Sequence, residues 1–117
     1  MIVARYGNRC HAPEHSRAAL LSAWVLGADA LWVRARVTAD GRLVLATEDD
    51  TAVATGQAGR VTATALRDLR QLDYSHYFAP RGSPGFRYRP AGRAPLRVEV
   101  FSDFLDWVPD QATVVVE

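Results

Sequence analysis

The residues best able to do chemistry lie on one short run, Leu31-Trp-Val-Arg-Ala-Arg-Val37. Apolar Leu31, Val33, Ala35 and Val37 alternate with Trp32, Arg34 and Arg36. In an extended strand, side chains two apart share a face, so the spacing predicts an indole and two guanidiniums pointing one way. Two permanently charged guanidiniums beside an indole on one face of a strand need a functional or structural reason. Other reactive types are scattered. His11, His15 and His76 follow no known metal-ligand spacing, and surface or helix-cap roles are the plainer account. Asp49 and Asp50 form a carboxylate pair that reads more simply as solvated loop acids. Glu14 follows Pro13 at a helix start, where an anion is favoured by the helix dipole. The stretch 74–97 carries Arg81, Arg87, Arg89, Arg93 and Arg97 with no acid, interleaved with Tyr74, Tyr77, Phe78, Phe86 and Tyr88. Arginine with aromatics can hold phosphates or single-stranded nucleic acid, but the Pro/Gly content makes a solvated insertion loop the plainer reading.

These residues need elements to position them. Ile2 to Ala4 can form a short buried strand, followed by a loop punctuated by Gly7, Asn8 and Pro13. Ser16 is a natural N-cap for a helix whose apolar stripe is Ala18, Leu20, Leu21, Trp24 and Val25, with Gly27 at the C′ position. The run 31–37 reads as one strand, joined by the Ala39-Asp40-Gly41 turn to a second strand at Leu43–Ala46. Residues 48–59 read as a loop. Thr62 or Thr64 caps a helix through Leu66, Leu69 and Leu72; Ser102 caps another over 103–108, stopped by Pro109; and Thr113–Val116 is a final strand. The order β-α-β-β-α-loop-α-β predicts an α/β layout with a mostly parallel sheet.

Composition bounds the rest. The chain has 117 residues, 49% hydrophobic and 23% charged, enough for one domain, 1–117, with a core. A formal charge of +1 supplies no general basic field, so nucleic acid is not an expected partner. The single Cys10 excludes an intrachain disulfide. No apolar run approaches the ~20 residues of a membrane span, and the N-terminus lacks a signal-peptide pattern. A soluble, cytoplasmic domain is expected.

Several motifs taken in order resemble a family. Val3-Ala-Arg-Tyr-Gly7 is similar to a first-strand pattern in which His-Arg-Gly follows an apolar pair. Ala12-Pro-Glu-His-Ser16 resembles an Ala-Pro-Glu-Asn-Thr signature, and Gly27-Ala-Asp29 and Thr38-Ala-Asp-Gly41 resemble the segments flanking the second strand. Glu48-Asp-Asp50, Gly59-Arg-Val61, Leu69-Arg-Gln-Leu-Asp73 and Thr113-Val-Val-Val-Glu117 continue the series. Together they resemble the N-terminal half of glycerophosphodiester phosphodiesterases, which are TIM-barrel, metal-dependent phosphoric diester hydrolases of glycerophospholipid metabolism.

The resemblance implies about four parallel strands with helices, a partial TIM-type barrel, since a complete (β/α)8 barrel takes roughly 200–250 residues. The chain is then a fragment of a longer protein, or a half-barrel that covers its open edges as a homodimer or with a missing C-terminal half. The family's metal carboxylates on strand 2 fall on Trp32 and Arg34, its two histidines on Arg5 and Thr47, and its phosphate-binding arginine on Tyr6. Glu117 alone keeps metal-ligand chemistry. A fixed cation repels a metal, and one carboxylate is a poor site for Mg²⁺ or Ca²⁺. The expectation is a pseudoenzyme without a cofactor, with Arg5, Tyr6, Glu14 and Arg34 as candidates for a phosphate-bearing ligand. Two alternatives stand beside it. One is an assembly module acting through open barrel edges; the other is an active Mg²⁺- or Ca²⁺-dependent phosphodiesterase with a rearranged site and Glu48 as base.

Overall fold

Along the chain the elements are β1 (Val3–Arg5), α1 (Arg17–Val25), β2 (Ala30–Val33), β3 (Ala35–Val37), β4 (Leu43–Leu45), α2 (Ala52–Thr55), a 3₁₀ turn (Val61–Ala63), α3 (Leu66–Leu69), β5 (Glu99–Val100), α4 (Phe101–Trp107) and β6 (Thr113–Val116). The computed structural model describes residues 1–78 and 95–117. Most of the expected Arg-rich insertion 74–97, including Arg81, Arg87, Arg89 and Arg93, lies outside the described residues.

Among the described residues the strands form two three-stranded sheets. In the first, β2 lies between β1 and β6, all parallel, with Arg5 beside Trp32 and Trp32 beside Val115. In the second, β4 lies between β3 and β5, all antiparallel. The α/β class and partial barrel hold: parallel strands alternate with helices and do not close. The count of about four parallel strands is corrected to three among the described residues, because the 31–37 run does not stay in one sheet. It breaks at Arg34, whose N–H donates to His15 Nε2 (3.1 Å) instead of a neighbouring strand. Glu117 spans the break, its N–H donating to Val33 O (3.0 Å) and its carbonyl accepting from the Ala35 N–H (3.1 Å). Beyond the break, β3 turns back as a hairpin through Gly41 (φ 79°), with Thr38 donating to Asp40 Oδ1 (2.6 Å).

Helix α1 follows its sequence signals. Ser16 Oγ accepts the Ala19 N–H (3.2 Å). The C-terminus closes with Gly27 N–H to Trp24 O and Ala28 N–H to Ala23 O, at 3.0 and 3.1 Å, the paired bonds of a Schellman ending with glycine at φ 102°. Other boundaries differ from expectation. The 48–59 loop contains α2. No threonine caps α3; Asp40 Oδ1 accepts the Leu66 N–H (3.1 Å) from across the structure. Helix α4 begins at Phe101, directly after β5, and ends before Pro109, which forces Val108 into extended backbone.

The parallel sheet has two unlike faces. Leu31 and Val33 point outward into a core with Leu20, Ala23, Leu45 and Phe104, packed by α1 and α4. A second core gathers Val44, Val61, Leu66, Leu69, Val98 and Val100 over the antiparallel sheet. Leu20, Leu31 and Phe104 are fully buried; each such side chain stabilises the fold by about 1.5–3 kcal/mol. The opposite face of the parallel sheet carries the polar side chains.

Candidate functional site

Parallel register brings Arg5 and Trp32 side by side, and the Arg5 guanidinium lies 5.2 Å from the indole centroid and 5.0 Å from that of Tyr6. Arg34 and Glu117 follow at the carboxyl ends of β2 and β6. Ligands of open and closed α/β sheets sit at these strand ends. Glu117 Oε1 is the centre of the cluster: Arg34 Nη2 is 2.9 Å away, Arg5 Nη2 3.7 Å, and the Tyr6 hydroxyl donates to it at 2.6 Å. Arg34 Nη1 and Arg36 Nη2 both donate to the Thr47 carbonyl, at 3.0 and 2.7 Å. Arg5 and Arg34 thus share one carboxylate, while Arg34 and Arg36 share one carbonyl. The Arg34 bond and the Tyr6 hydroxyl hold the Glu117 carboxyl down to about 2. Two buried donors beside this cluster, Trp32 Nε1 and Arg36 Nε, have no hydrogen-bond partner among the described residues.

The backbone here is under strain. Tyr6 and His15 are both left-handed non-glycine residues, at φ 64° and 62°. Such outliers persist only where the surroundings over-determine them, and they cluster at functional sites. Tyr6 is tied to Trp32 O through its N–H (2.7 Å), and its carbonyl accepts the His15 N–H (2.9 Å). The two rings lie 4.6 Å apart. His15 is 4% exposed, and burial, seconded by Arg34, lowers its pKa to about 3, so the ring is neutral near pH 7. Its Nε2 accepts the Arg34 N–H, which fixes the proton on Nδ1, 3.5 Å from Thr47 Oγ1.

The structure therefore gathers Arg5, Tyr6, Trp32, Arg34, Thr47 and Glu117. It does not gather the three histidines: His11 and His76 are exposed and only His15 is at the site. The surface or cap role expected of His15 is corrected, because the strained loop folds its ring under Arg34. Its signal was its place in the Ala-Pro-Glu-His-Ser run, where the resembled signature has asparagine, the residue that best tolerates left-handed backbone. Asp49 and Asp50 serve local structure, accepting from Thr62 and from the Ala52 N–H. Glu14 stands apart from the arginine cluster. It lies 3.9 Å from Arg9, and its N–H donates to the Tyr77 hydroxyl (2.8 Å). It lines a neighbouring cavity of about 80 Å³ together with His15, Thr47, Glu48, Tyr74 and Tyr77.

A hard divalent cation does not fit this donor set. Ca²⁺ takes six to eight oxygen ligands, and Mg²⁺, which keeps several waters, still needs one or two carboxylates free to bind it. Among the described residues no group of three His, Cys, Asp or Glu side chains converges. The Glu117 carboxylate at the strand ends is already held by a hydroxyl and two fixed cations.

The three parallel strands, their flanking helices and a polar cluster at the strand carboxyl ends define an incomplete α/β barrel. The model of the glycerophosphoryl diester phosphodiesterase family matches residues 7–116; the chain belongs to this family. It is 34% identical over 89 residues to the uncharacterized protein Rv2277c of Mycobacterium tuberculosis, covering 76% of this chain and 30% of that one. The crystal structure of the glycerophosphoryl diester phosphodiesterase domain of Rv2277c superimposes with a TM-score of 0.83 at 27% identity, over 99% of this chain and 42% of that one. Glycerophosphodiester phosphodiesterase from Agrobacterium tumefaciens shares the fold, with a TM-score of 0.79 at 24% identity, over 98% and 45% of the two chains. The chain thus spans less than half the length of these relatives. No helix among the described residues is long and apolar enough to cross a membrane.

Proposed function

We propose that this family member binds a phosphate-bearing anion at the carboxyl ends of β1, β2 and β6 and does not hydrolyse it. The observation that carries the reading is Arg34 at 2.9 Å from Glu117, with Arg5 beside it. By resemblance the family holds its metal with carboxylates at the Trp32 and Arg34 positions. Here a guanidinium supplies positive charge where a cation would otherwise sit, and no Mg²⁺ or Ca²⁺ is required. The buried N–H groups of Trp32 and Arg36, without partners among the described residues, support an acceptor in this place. His15 held neutral, and Arg5 and Thr47 in place of histidines, support a site without a histidine acid–base pair among the described residues. The setting we propose is cytoplasmic, with a ligand drawn from glycerophospholipid metabolism.

The test is a thermal melt with inorganic phosphate. A rise in melting temperature with phosphate, lost in Arg34→Ala, is the expected result; an equal rise in both proteins contradicts the assignment of Arg34.

A second reading concerns assembly. β1 and β6 are the two edges of the parallel sheet, and Ile2, Val3, Val115 and Val116 along them are 64%, 43%, 39% and 48% exposed. An edge strand presents a row of unpaired N–H and C=O groups, so we infer that further strands, from the remainder of a longer protein or from a second copy, lie against these edges.

A further inference from the structure

The arginine cluster already holds an anion of its own. The Tyr6 hydroxyl, Arg34 Nη2 and Arg5 Nη2 lie 2.6, 2.9 and 3.7 Å from Glu117, and all three meet the same oxygen, Oε1. Groups at the ends of β1 and β2 thus converge on one point, and a carboxylate oxygen from the end of β6 fills it. The donors do not depend on Glu117 for their places. Arg34 Nη1 is tied to the Thr47 carbonyl (3.0 Å), the Arg5 guanidinium lies over the rings of Tyr6 and Trp32, and the Tyr6 backbone is fixed by Trp32 and His15.

The carboxylate itself is free to leave. The main chain of Glu117 is bonded to Val33 and Ala35, but its side chain is 29% exposed and can turn out to water about its own rotatable bonds while β6 stays in place. As a filler it is also incomplete, since the buried Trp32 Nε1 and Arg36 Nε beside the cluster keep no partner among the described residues. A phosphate brings more acceptor oxygens than a carboxylate and can engage more of these donors. We propose that the Glu117 side chain is a built-in counter-anion that closes the phosphate seat, and that a phosphate-bearing ligand binds by displacing it from Arg34, Arg5 and Tyr6. This rests on the anion-binding reading of the same site. Two anions side by side at one seat repel, so the ligand enters by exchange with the carboxylate and not beside it. The affinity is then reduced by the fraction of molecules in which the seat is closed. Because the Arg34–Glu117 pair is partly exposed, that reduction is about fivefold.

Isothermal titration calorimetry with inorganic phosphate reads the exchange. Glu117→Gln keeps the size of the side chain and removes its charge; it binds phosphate about fivefold tighter than the wild type, and adding Arg34→Ala removes the gain. A second measurement uses the wild-type protein alone, labelled with ¹³C at the glutamate carboxyls. The Glu117 carboxyl resonance shifts as phosphate is added and the group leaves the guanidiniums, and this resonance decides where Glu117→Gln does not fold. Phosphate binding that is unchanged or weaker in folded Glu117→Gln overturns the exchange and leaves the anion reading intact. A Glu117 resonance that stays in place while phosphate binds does the same. Binding by Glu117→Gln alone supports the closed seat and contradicts phosphate binding by the wild type. No binding by either protein contradicts both.

Discussion

Glu117 and His15 decide the chemistry of this site by refusing protons. Both hold pKa values below their ordinary ones, Glu117 at about 2 and His15 at about 3. A depressed carboxyl pKa stabilises the fold above its ordinary 4.5, and the benefit disappears as pH falls through about 2. A histidine buried neutral behaves alike in direction. The unfolded chain binds the proton first, so stability declines as pH drops from 6.5 towards about 3. His15 therefore dominates from 6.5 down to the ordinary carboxyl value of 4.5, where Glu117 is ionised in folded and unfolded chains alike. Urea unfolding at about pH 7, 5.5 and 4.5 will show a progressive loss of stability. His15→Asn, which keeps a residue tolerant of left-handed backbone, will flatten that slope. A slope unchanged in the variant contradicts the placement of a neutral histidine under Arg34.

Much of this residue-scale picture is legible in the sequence. The alternation around Trp32 and Arg34 points their side chains to one face, and the family resemblance sets Arg5, Tyr6 and Glu117 beside them. His15 is legible only as a departure from the resembled signature, at the position where that signature has asparagine. Its burial depends on Tyr6 at one side and Arg34 at another, contacts across 9 and 19 residues that no local pattern encodes.

At the scale of elements, local signals worked where the partners are local. The Ser16 cap and the Gly27 ending of α1 are short-range hydrogen bonds, and both are formed. They failed where a distant group supplies the partner. Strand 31–37 splits because His15 accepts the Arg34 N–H, and α3 takes its cap from Asp40 rather than from Thr62 or Thr64. The loop between β1 and α1 carries a stringent demand of its own. Gly7 sits at φ 93°, and a Cβ there would lie 2.7 Å from the Ala19 backbone carbon and 2.8 Å from the Leu20 nitrogen. Backbone cannot yield as a flexible side chain can. Gly7→Ala therefore combines left-handed strain with a clash against α1, and we expect a loss of about 2–4 kcal/mol. Equilibrium denaturation measures it; a loss under about 0.5 kcal/mol contradicts the close approach of loop and helix.

For the whole molecule, length and motif order announce a part of an α/β barrel, and three parallel strands flanked by α1 and α4 bear that out. The expectation of a fourth parallel strand missed that the Thr38-Ala-Asp-Gly41 turn builds an antiparallel hairpin, whose third strand, β5, is two residues long and carries little sequence signal. The exposed valines of β6 follow from this incompleteness. If further strands cover them, the isolated 117-residue chain will self-associate with rising concentration, and Val115→Lys will reduce the association, because an inserted lysine blocks strand addition at an edge. Sedimentation velocity reads both; a monomer at every concentration contradicts pairing between copies and leaves the remainder of a longer protein as the cover.

The arginine cluster is central to the proposed function, and ³¹P NMR of glycerophosphocholine mixed with the protein and Mg²⁺ or Ca²⁺ tests it most directly. Binding without turnover predicts a diester resonance that broadens or shifts with added protein, less so with Arg34→Ala, and no phosphomonoester signal over time. A growing phosphomonoester signal that Glu117→Gln or Glu48→Gln abolishes would contradict it.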